Sequence, residues 1–311
     1  MKRGRIRELA GAGAILALLS LLGGASTAAA EGVACGDGVE VRFSLPGNEN
    51  VAAAAQGRVV LLEVRGAGEL RNLQAAWVGQ RLSFWQESAS AQVYRALVGV
   101  DLEQKTGQFP LTLEAGLAGG GRVACSAVLR VEEGQFRLEK LTVAPGFVQL
   151  SASDRARAEE ETKRLLEIFA TASPERLWSG GFRAPLAVAE GSGNFGTRRI
   201  FNEEPRSPHG GEDFSAPKGT PVLAAGRGRV ALAENLFYSG NTVVLDHGLG
   251  LYTFYGHLDR LAVEAGEAAE AGARLGTVGA TGRVTGPHLH WAARLNRARV
   301  NPLELVGLAA E

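Results

Sequence analysis

The chain has few cysteines, no net charge and no apolar run long enough to cross a membrane. Lysine and arginine together number 33, as do aspartate and glutamate. No basic excess favours a polyanion, so we expect no nucleic-acid partner. The two cysteines, Cys35 and Cys125, are too few for a structural zinc site, which usually takes about four protein ligands. At 311 residues, the chain is long enough for two folded domains.

Residues 1–30 have the pattern of a secretory signal peptide. Several basic residues precede the apolar run AGAILALLSLLGG, and small residues follow in STAAAEG, which is the order of such a signal. The apolar core is shorter than the ~20 residues needed to span a bilayer. We therefore predict cleavage after Ala30, a mature chain without a transmembrane span, and a periplasmic or cell-envelope location in a bacterium. The alternatives are an uncleaved anchor and a lipid on Cys35, for which Gly32 is a poor match.

Export also bears on the cysteines. In an oxidising compartment, an even number of cysteines favours a structural disulfide. We therefore predict one intramolecular disulfide between Cys35 and Cys125.

Residues 31–150 are predicted to form a β-sandwich-like module. Short alternating segments such as VEVRFSL, VVLLEV and VACSAVLRV are separated by turns such as PGNEN and GLAGGG, a rhythm typical of a small sandwich. No histidines, acids or nucleophiles cluster there, so we expect the module to be non-catalytic.

Residues 151–180 are predicted to form a helical connector. The segment SDRARAEEETKRLLEIFATA opens with Ser153 as a candidate N-cap and has an apolar face at helical spacing. That face comprises Thr162, Leu165, Leu166 and Phe169.

Residues 181–311 again consist of short apolar segments separated by glycines, which predicts a second all-β domain. The fold class is therefore all-β, with two β-rich domains. The segment GTPVLAAGRGRV also resembles flattened barrels that carry lipoyl or biotinyl groups. Such domains need a lysine at a hairpin tip, and Lys218, the only lysine of this region, lies ahead of the strand instead, which argues against a carrier.

The histidines are confined to this second domain, at positions 209, 247, 257, 288 and 290. In the strand-like segment GPHLHW, His288 and His290 are two residues apart and therefore lie on the same face. Two imidazoles side by side on one face favour metal chemistry. His247, in LDHG, is interpreted as a structural turn histidine.

His209 and Asp213 add a carboxylate and a further imidazole in the segment SPHGGED. A catalytic zinc site takes about three protein ligands from histidine and carboxylate and leaves one position open. No HExxH helix is present to supply a glutamate base, and Glu212 would point away from the metal in an extended strand. The candidate bases are His257, in YGHLDRL, and the second histidine of the strand pair.

The segments SPHGGED, YGHLD and TGRVTGPHLHW, in that order, resemble the M23 zinc peptidases, the lysostaphin and LytM-like peptidoglycan endopeptidases. The resemblance covers roughly residues 182–305 and implies a LytM-like β-groove peptidase domain over 181–311. It implies Zn²⁺ as cofactor and peptidoglycan as substrate. By this resemblance the metal ligands are His209, Asp213 and His290, and the catalytic residues are His257 and His288.

Two departures from the family pattern concern the surroundings of the site. Glu212 stands where many relatives carry an apolar residue, and no tyrosine shortly precedes His209. Neither change removes a ligand.

The resemblance leaves two functions open. The first is zinc-dependent hydrolysis of amide bonds in the peptide crosslinks of peptidoglycan, with a D-alanyl to diaminopimelyl bond preferred over a glycine bridge. The second is a non-hydrolytic LytM-like scaffold that binds and activates cell-wall amidases. The complete residue set favours the enzyme. The sequence does not identify protein regulators.

Overall fold

The computed structural model of the chain describes residues 32–48, 50–88, 90–142, 150–187, 191–205 and 207–308. The predicted signal peptide, residues 1–30, lies outside these ranges. The described residues form mostly β-structure, as the alternating segments predict. Within them, no helix combines the length and the apolar character needed to cross a membrane.

The first nine strands form a β-sandwich. They are β1 (Val33–Gly36), β2 (Val39–Ser44), β3 (Ala53–Ala55), β4 (Val59–Arg65), β5 (Leu70–Trp77), β6 (Gln80–Leu82), β7 (Val93–Gly99), β8 (Gly107–Leu117) and β9 (Arg122–Glu132). One sheet has the order β1-β2-β4-β7 and the other β3-β9-β8-β5-β6. Their inner faces share one core, to which Leu62 contributes from the first sheet and Leu111 and Leu129 from the second. Burial on alternate residues, as along β2, produces this two-layer packing.

A disulfide joins the two sheets of the sandwich. Cys35 lies in β1 and Cys125 in β9, and their Cα atoms are 5.3 Å apart. Both side chains pack against the sandwich core.

A single long helix follows, α1 (Ala152–Ala170). Its N-cap is Ser151, whose hydroxyl accepts a hydrogen bond from the Asp154 amide, so the N-cap lies two residues before the predicted cap, Ser153. Phe169 is buried, with its ring edge-on to Tyr252 at 5.6 Å. Leu166, predicted on the packed face, is 55% exposed.

A small three-stranded sheet links the two predicted β-rich domains. Its strands are β10 (Leu138–Leu141), β11 (Arg198–Phe201) and β12 (Glu204–Pro205), and β10 pairs parallel with β11. β10 belongs to the first predicted domain and β11 to the last. The segment that leads to His209 is therefore bonded to the amino-terminal part of the chain.

The remaining strands form one nine-stranded sheet. They are β13 (Gly211–Ser215), β14 (Pro221–Leu223), β15 (Gly228–Leu236), β16 (Gly240–Gly248), β17 (Leu251–Leu261), β18 (Ala268–Ala269), β19 (Arg274–Val278), β20 (His288–Leu295) and β21 (Ala298–Val300). The main order is β13-β20-β17-β16-β15-β18. One short helix, α2 (Leu303–Val306), follows. Trp291, Tyr255 and Leu245 are fully buried on the core side of the sheet.

The sandwich packs directly against this sheet. Val59 and Leu97 of the sandwich belong to the same apolar core as Leu295 of β20. At the rim of this contact, the Arg299 guanidinium donates to Asp101 at 2.7 Å and to Glu103 at 2.6 Å. Apolar packing and paired charges therefore both hold the two parts together.

Candidate active site

The pairing of β13 with β20 brings together residues that are far apart in the sequence. Asp213 is the register partner of His290 in this antiparallel pair, and Asp213 Oδ1 lies 2.9 Å from His290 Nδ1. His209 precedes β13, and its Nε2 lies 3.0 Å from His290 Nδ1 and 3.2 Å from Asp213 Oδ1. Three atoms, one from each residue, thus lie within 3.2 Å of one another.

The expected positions of the ring hydrogens leave these three atoms able to share a cation. His209 Nδ1 lies 3.1 Å from the Asn194 carbonyl, which can only accept, so in the neutral ring Nδ1 carries the hydrogen and Nε2 has a lone pair. At most one proton, on His290 Nδ1, can lie among the three atoms. A shared metal ion satisfies all of them, and these residues form a group that could hold one.

The charges of the cluster agree with this arrangement. Burial alone would raise the pKa of Asp213, but close contact with the imidazoles of His209 and His290 outweighs it and holds that pKa well below its usual range. Burial lowers the pKa of His290, and the hydrogen bond with Asp213 only partly opposes it. The cluster therefore consists of an ionised carboxylate and an imidazole that resists protonation.

His288 and His257 lie next to the cluster, on the same side of the sheet. His288 Nε2 is 3.8 Å from Asp213 Oδ1, and the His288 and His257 ring centroids are 4.7 Å apart. Each ring is held at Nδ1 by a backbone carbonyl: Gly286 at 2.9 Å for His288, and Thr281 at 3.0 Å for His257. In neutral rings, Nε2 is therefore free to accept a proton.

A bulge in β17 directs His257 to this side. Tyr255 and Leu258 both face the core, yet two residues separate them. Simple alternation would turn His257 into the core with Tyr255. Instead His257 has a φ of 63°, a left-handed conformation that is uncommon outside glycine and often found at functional sites. The strand continues through His257 to Leu261.

Burial also sets the charge of His257. Burial, together with a smaller effect of the neighbouring His290, lowers the pKa of His257 to about 4. At pH 7 this ring is therefore neutral and able to accept a proton.

Sequence reasoning assigned no role to two residues that surround the cluster. Glu212 is fully buried, and its carboxylate accepts hydrogen bonds from the backbone amides of residues 193–195. It points away from Asp213, as strand alternation predicts. Asn194 donates from Nδ2 to Asp213 Oδ2 at 2.9 Å. A glutamate beside a candidate ligand was a usable signal for Glu212, whereas an asparagine in the glycine-rich loop GSGNFG was none.

His247 does not join the cluster. It lies in β16 and is fully buried, although the sequence suggested a turn. Its Nδ1 is 2.8 Å from the Arg227 carbonyl and its Nε2 is 2.7 Å from Thr253 Oγ1. Burial lowers its pKa to about 4. It is a hydrogen-bonded core residue.

Comparison with known proteins finds peptidases that are similar to part of this chain. Residues 207–302 match the model described as Peptidase family M23. Over 114 residues the chain is 43% identical to peptidoglycan DD-endopeptidase ShyA of Vibrio cholerae, covering 36% of this chain and 26% of that protein. Over 127 residues it is 39% identical to DD-carboxypeptidase/endopeptidase Mpg of Neisseria meningitidis, covering 40% and 29%. The chain thus spans about a quarter of the length of the curated relatives it matches.

One solved structure resembles nearly the whole chain. A crystal structure from Pseudomonas aeruginosa, of a protein assigned to peptidase M23, is 29% identical and has a TM-score of 0.63. The similarity covers 83% of this chain and 96% of that one, so it includes residues outside the peptidase domain. The family match and the His-Asp-His geometry lie in the same stretch of sequence, and residues 207–302 of this chain form a peptidase family M23 domain.

Proposed function

We propose that this protein is a zinc-dependent endopeptidase that hydrolyses amide bonds in the peptide crosslinks of peptidoglycan. The observation that carries the proposal is the convergence of His209 Nε2, Asp213 Oδ1 and His290 Nδ1, which lie 2.9 to 3.2 Å apart. Zinc bonds of about 2.0–2.2 Å in a tetrahedral site place neighbouring ligand atoms about 3.3 Å apart. The donor types and their spacing fit that ion.

The composition of the proposed ligand set is that of a catalytic rather than a structural zinc site. Two histidines and one carboxylate are the composition of a catalytic zinc site, in which a fourth position stays open. Zinc held there supplies Lewis acidity, which polarises a carbonyl group and lowers the pKa of water.

The chain's own residues supply the proton transfer. The backbone carbonyls of Thr281 and Gly286 hold His257 and His288 by Nδ1, so each neutral ring has its lone pair at Nε2. An imidazole in this state accepts a proton during attack on the amide and returns it to the leaving nitrogen. The carbonyl contacts fix both ring orientations before substrate binds.

The substrate class rests on the relatives. Two are named peptidoglycan DD-endopeptidase ShyA and DD-carboxypeptidase/endopeptidase Mpg, so we propose a DD-peptide bond of the crosslink. The secretory pattern of residues 1–30 agrees with this substrate, because peptidoglycan lies outside the cytoplasmic membrane. We propose a location in the cell envelope.

The test is digestion of purified sacculi, with the released fragments identified by mass. We expect the wild-type protein to release crosslink cleavage products, to lose activity with a chelator and to regain it with zinc. His247→Asn serves as a control that alters a histidine outside the cluster. A protein that binds zinc but releases no fragments would contradict the endopeptidase proposal and favour the scaffold function.

A further inference from the structure

The loop that precedes β11 wraps around the free edge of β13. β13 is the edge strand of its sheet, paired only with β20 along the main order. On its other side, the Ser192 amide donates to the Asp213 carbonyl at 3.0 Å, and Ser192 Oγ donates to the same oxygen at 2.7 Å. Exposed strand edges readily accept such pairing. The loop thereby reaches the metal-binding residues from outside the sheet.

Within this loop, Asn194 contacts both candidate ligands that lie on its side of the site. Its Nδ2 donates to Asp213 Oδ2 at 2.9 Å, and its Oδ1 accepts from the Asp213 amide at 3.1 Å. Its backbone carbonyl accepts from His209 Nδ1 at 3.1 Å. Three of the four hydrogen-bonding groups of Asn194 are thus directed at Asp213 and His209.

These contacts select which atoms face the cluster. With Oδ2 of Asp213 held by Asn194, Oδ1 is the oxygen directed at His209 and His290. With Nδ1 of His209 bonded to a carbonyl, Nε2 is the nitrogen left for a metal. Outer partners of this kind fix the tautomer and orientation of metal ligands, and their loss typically weakens metal binding about 10- to 100-fold.

Glu212 holds the loop in this position. Its carboxylate accepts the amides of Gly193, of Asn194 at 3.1 Å and of Phe195 at 3.1 Å. The side chain is fully buried, and a buried carboxylate is costly unless such donors satisfy it. Because β13 alternates, Asp213 points to the site and Glu212 to the other side. Strand β13 therefore carries both the candidate ligand Asp213 and, on its other face, Glu212, which holds the loop that orients Asp213.

The amino-terminal part of the chain supports the loop from its far side. The Phe136 and Phe195 rings pack edge-on at 6.1 Å, and Arg137 accepts through its carbonyl from the Arg198 amide at 2.8 Å. The loop therefore lies between Glu212 on one side and Phe136 and Arg137 on the other.

We infer that Asn194 is a positioning residue for the metal centre, and that Glu212 acts through it by fixing residues 193–195. The inference rests on the proposed function, because it assigns a role toward the zinc site proposed above. Neither residue needs to touch the substrate or the metal.

The first experiment measures the zinc dissociation constant of the full chain by competition with a chelating dye. We expect Asn194→Ala to weaken binding about 10- to 100-fold while circular dichroism and thermal unfolding stay close to wild type. Ser192→Ala is the matched control, because it removes a loop hydrogen bond to the Asp213 backbone without touching a ligand side chain. Its affinity should change less than about 3-fold, below the range for outer-shell partners. Wild-type affinity in Asn194→Ala would overturn the inference.

The second experiment tests the role of Glu212. Glu212→Gln keeps the shape but replaces one acceptor oxygen with a donor that opposes the loop amides. We expect it to weaken zinc binding, and we expect the double variant with Asn194→Ala to be less than additive, since both changes act on one loop. Fully additive losses would show that Glu212 acts independently of Asn194.

A third readout requires no metal. In the zinc-free wild-type protein, at a pH where the His209 ring is uncharged, its ¹⁵N chemical shifts should report the tautomer protonated at Nδ1, and Glu212→Gln should shift that tautomer balance. Protonation at Nε2 in the wild type would contradict the inference. If the wild type binds no zinc, the proposed function fails, and the His209 tautomer still decides whether the loop orients this ring. The same wild-type measurement remains decisive if Glu212→Gln does not fold.

Discussion

Asp213 and His290 lie directly opposite each other in neighbouring antiparallel strands, with 2.9 Å between Asp213 Oδ1 and His290 Nδ1. The two residues are 77 positions apart in the sequence. A shift of one residue in the pairing of β13 with β20 would turn one of the two side chains to the opposite face. The strand register is therefore part of the site.

We predict that His290→Ala removes zinc while the fold persists. The variant keeps only His209 and Asp213, and loss of a ligand should weaken zinc binding more than the about 100-fold upper range for outer partners. Metal analysis after dialysis measures this, with His247→Asn as a control histidine in β16. Full zinc occupancy in His290→Ala would show that the ligand set is wrongly assigned.

We predict that His288→Ala keeps zinc and loses most hydrolysis. His288 Nε2 is 3.8 Å from Asp213 Oδ1, farther than the atoms of the three candidate ligands are from one another. The His-X-His step along a strand, about 6.6 Å, also makes it difficult for both side chains to bind one metal with a position left open. Loss of general acid or base assistance typically costs about 10² to 10⁴ in rate.

Zinc content and sacculus digestion should be measured on the same preparation of His288→Ala, with His257→Ala treated in parallel. We expect both variants to retain the metal. If zinc and activity fall together in His288→Ala, His288 is a ligand. Unchanged cleavage would remove it from the mechanism.

We predict that reduction of the Cys35–Cys125 disulfide destabilises the sandwich. The bond spans 90 residues, and closing a loop of this length contributes about 4 to 5 kcal/mol on the entropic model. Urea unfolding with and without reductant measures the difference, and the variant with both cysteines changed to alanine should be insensitive to reductant. Alkylation of the unreduced protein that reveals two free thiols would contradict the bond.

We predict that His247 makes the protein less stable at mildly acidic pH. Its pKa falls from the ordinary 6.5 to about 4 in the folded state, so below pH 6.5 the unfolded chain binds a proton that the folded chain does not. Its stabilising contribution is complete above pH 6.5 and is lost as the pH falls toward 4. From pH 7.5 to 4.5 the loss is about 2 to 3 kcal/mol.

His247→Asn isolates this effect, because asparagine can still donate to the Arg227 carbonyl but does not titrate. Urea unfolding of both proteins at several pH values, with zinc removed throughout, gives the comparison. The stability advantage of wild type over His247→Asn should shrink by about 2 to 3 kcal/mol between pH 7.5 and 4.5. Parallel pH profiles would contradict the prediction.

Several features of this protein follow from local sequence. The placement of His288 and His290 on one face depends only on the alternation of side chains along a strand, and the structure shows β20 with that alternation. The same rule correctly predicted that Glu212 points away from the candidate metal ligands. The alternating segments likewise predicted mostly β-structure, and the ordered family motifs predicted an M23 domain.

Helix α1 shows where local patterns begin to fail. Helical spacing predicted the helix but placed its cap at Ser153 and Leu166 on the packed face, whereas Ser151 caps it and Leu166 is exposed. The sheet beneath the helix determines which helix face is buried, because Phe169 packs against Tyr252 of that sheet. Spacing alone defines a stripe of candidates, and the partner surface selects among them.

The turn of His257 toward the site, the burial of His247 and the contacts of Asn194 depend on tertiary structure alone. His257 faces the cluster because β17 bulges where it leaves β20 for β19, and no pattern in YGHL marks that change of partner. Asn194 reaches Asp213 because a loop wraps a free strand edge. Alternation is a property of one strand, while register, bulges and edge contacts belong to pairs of segments that are far apart in sequence. Only the folded sheet could decide them.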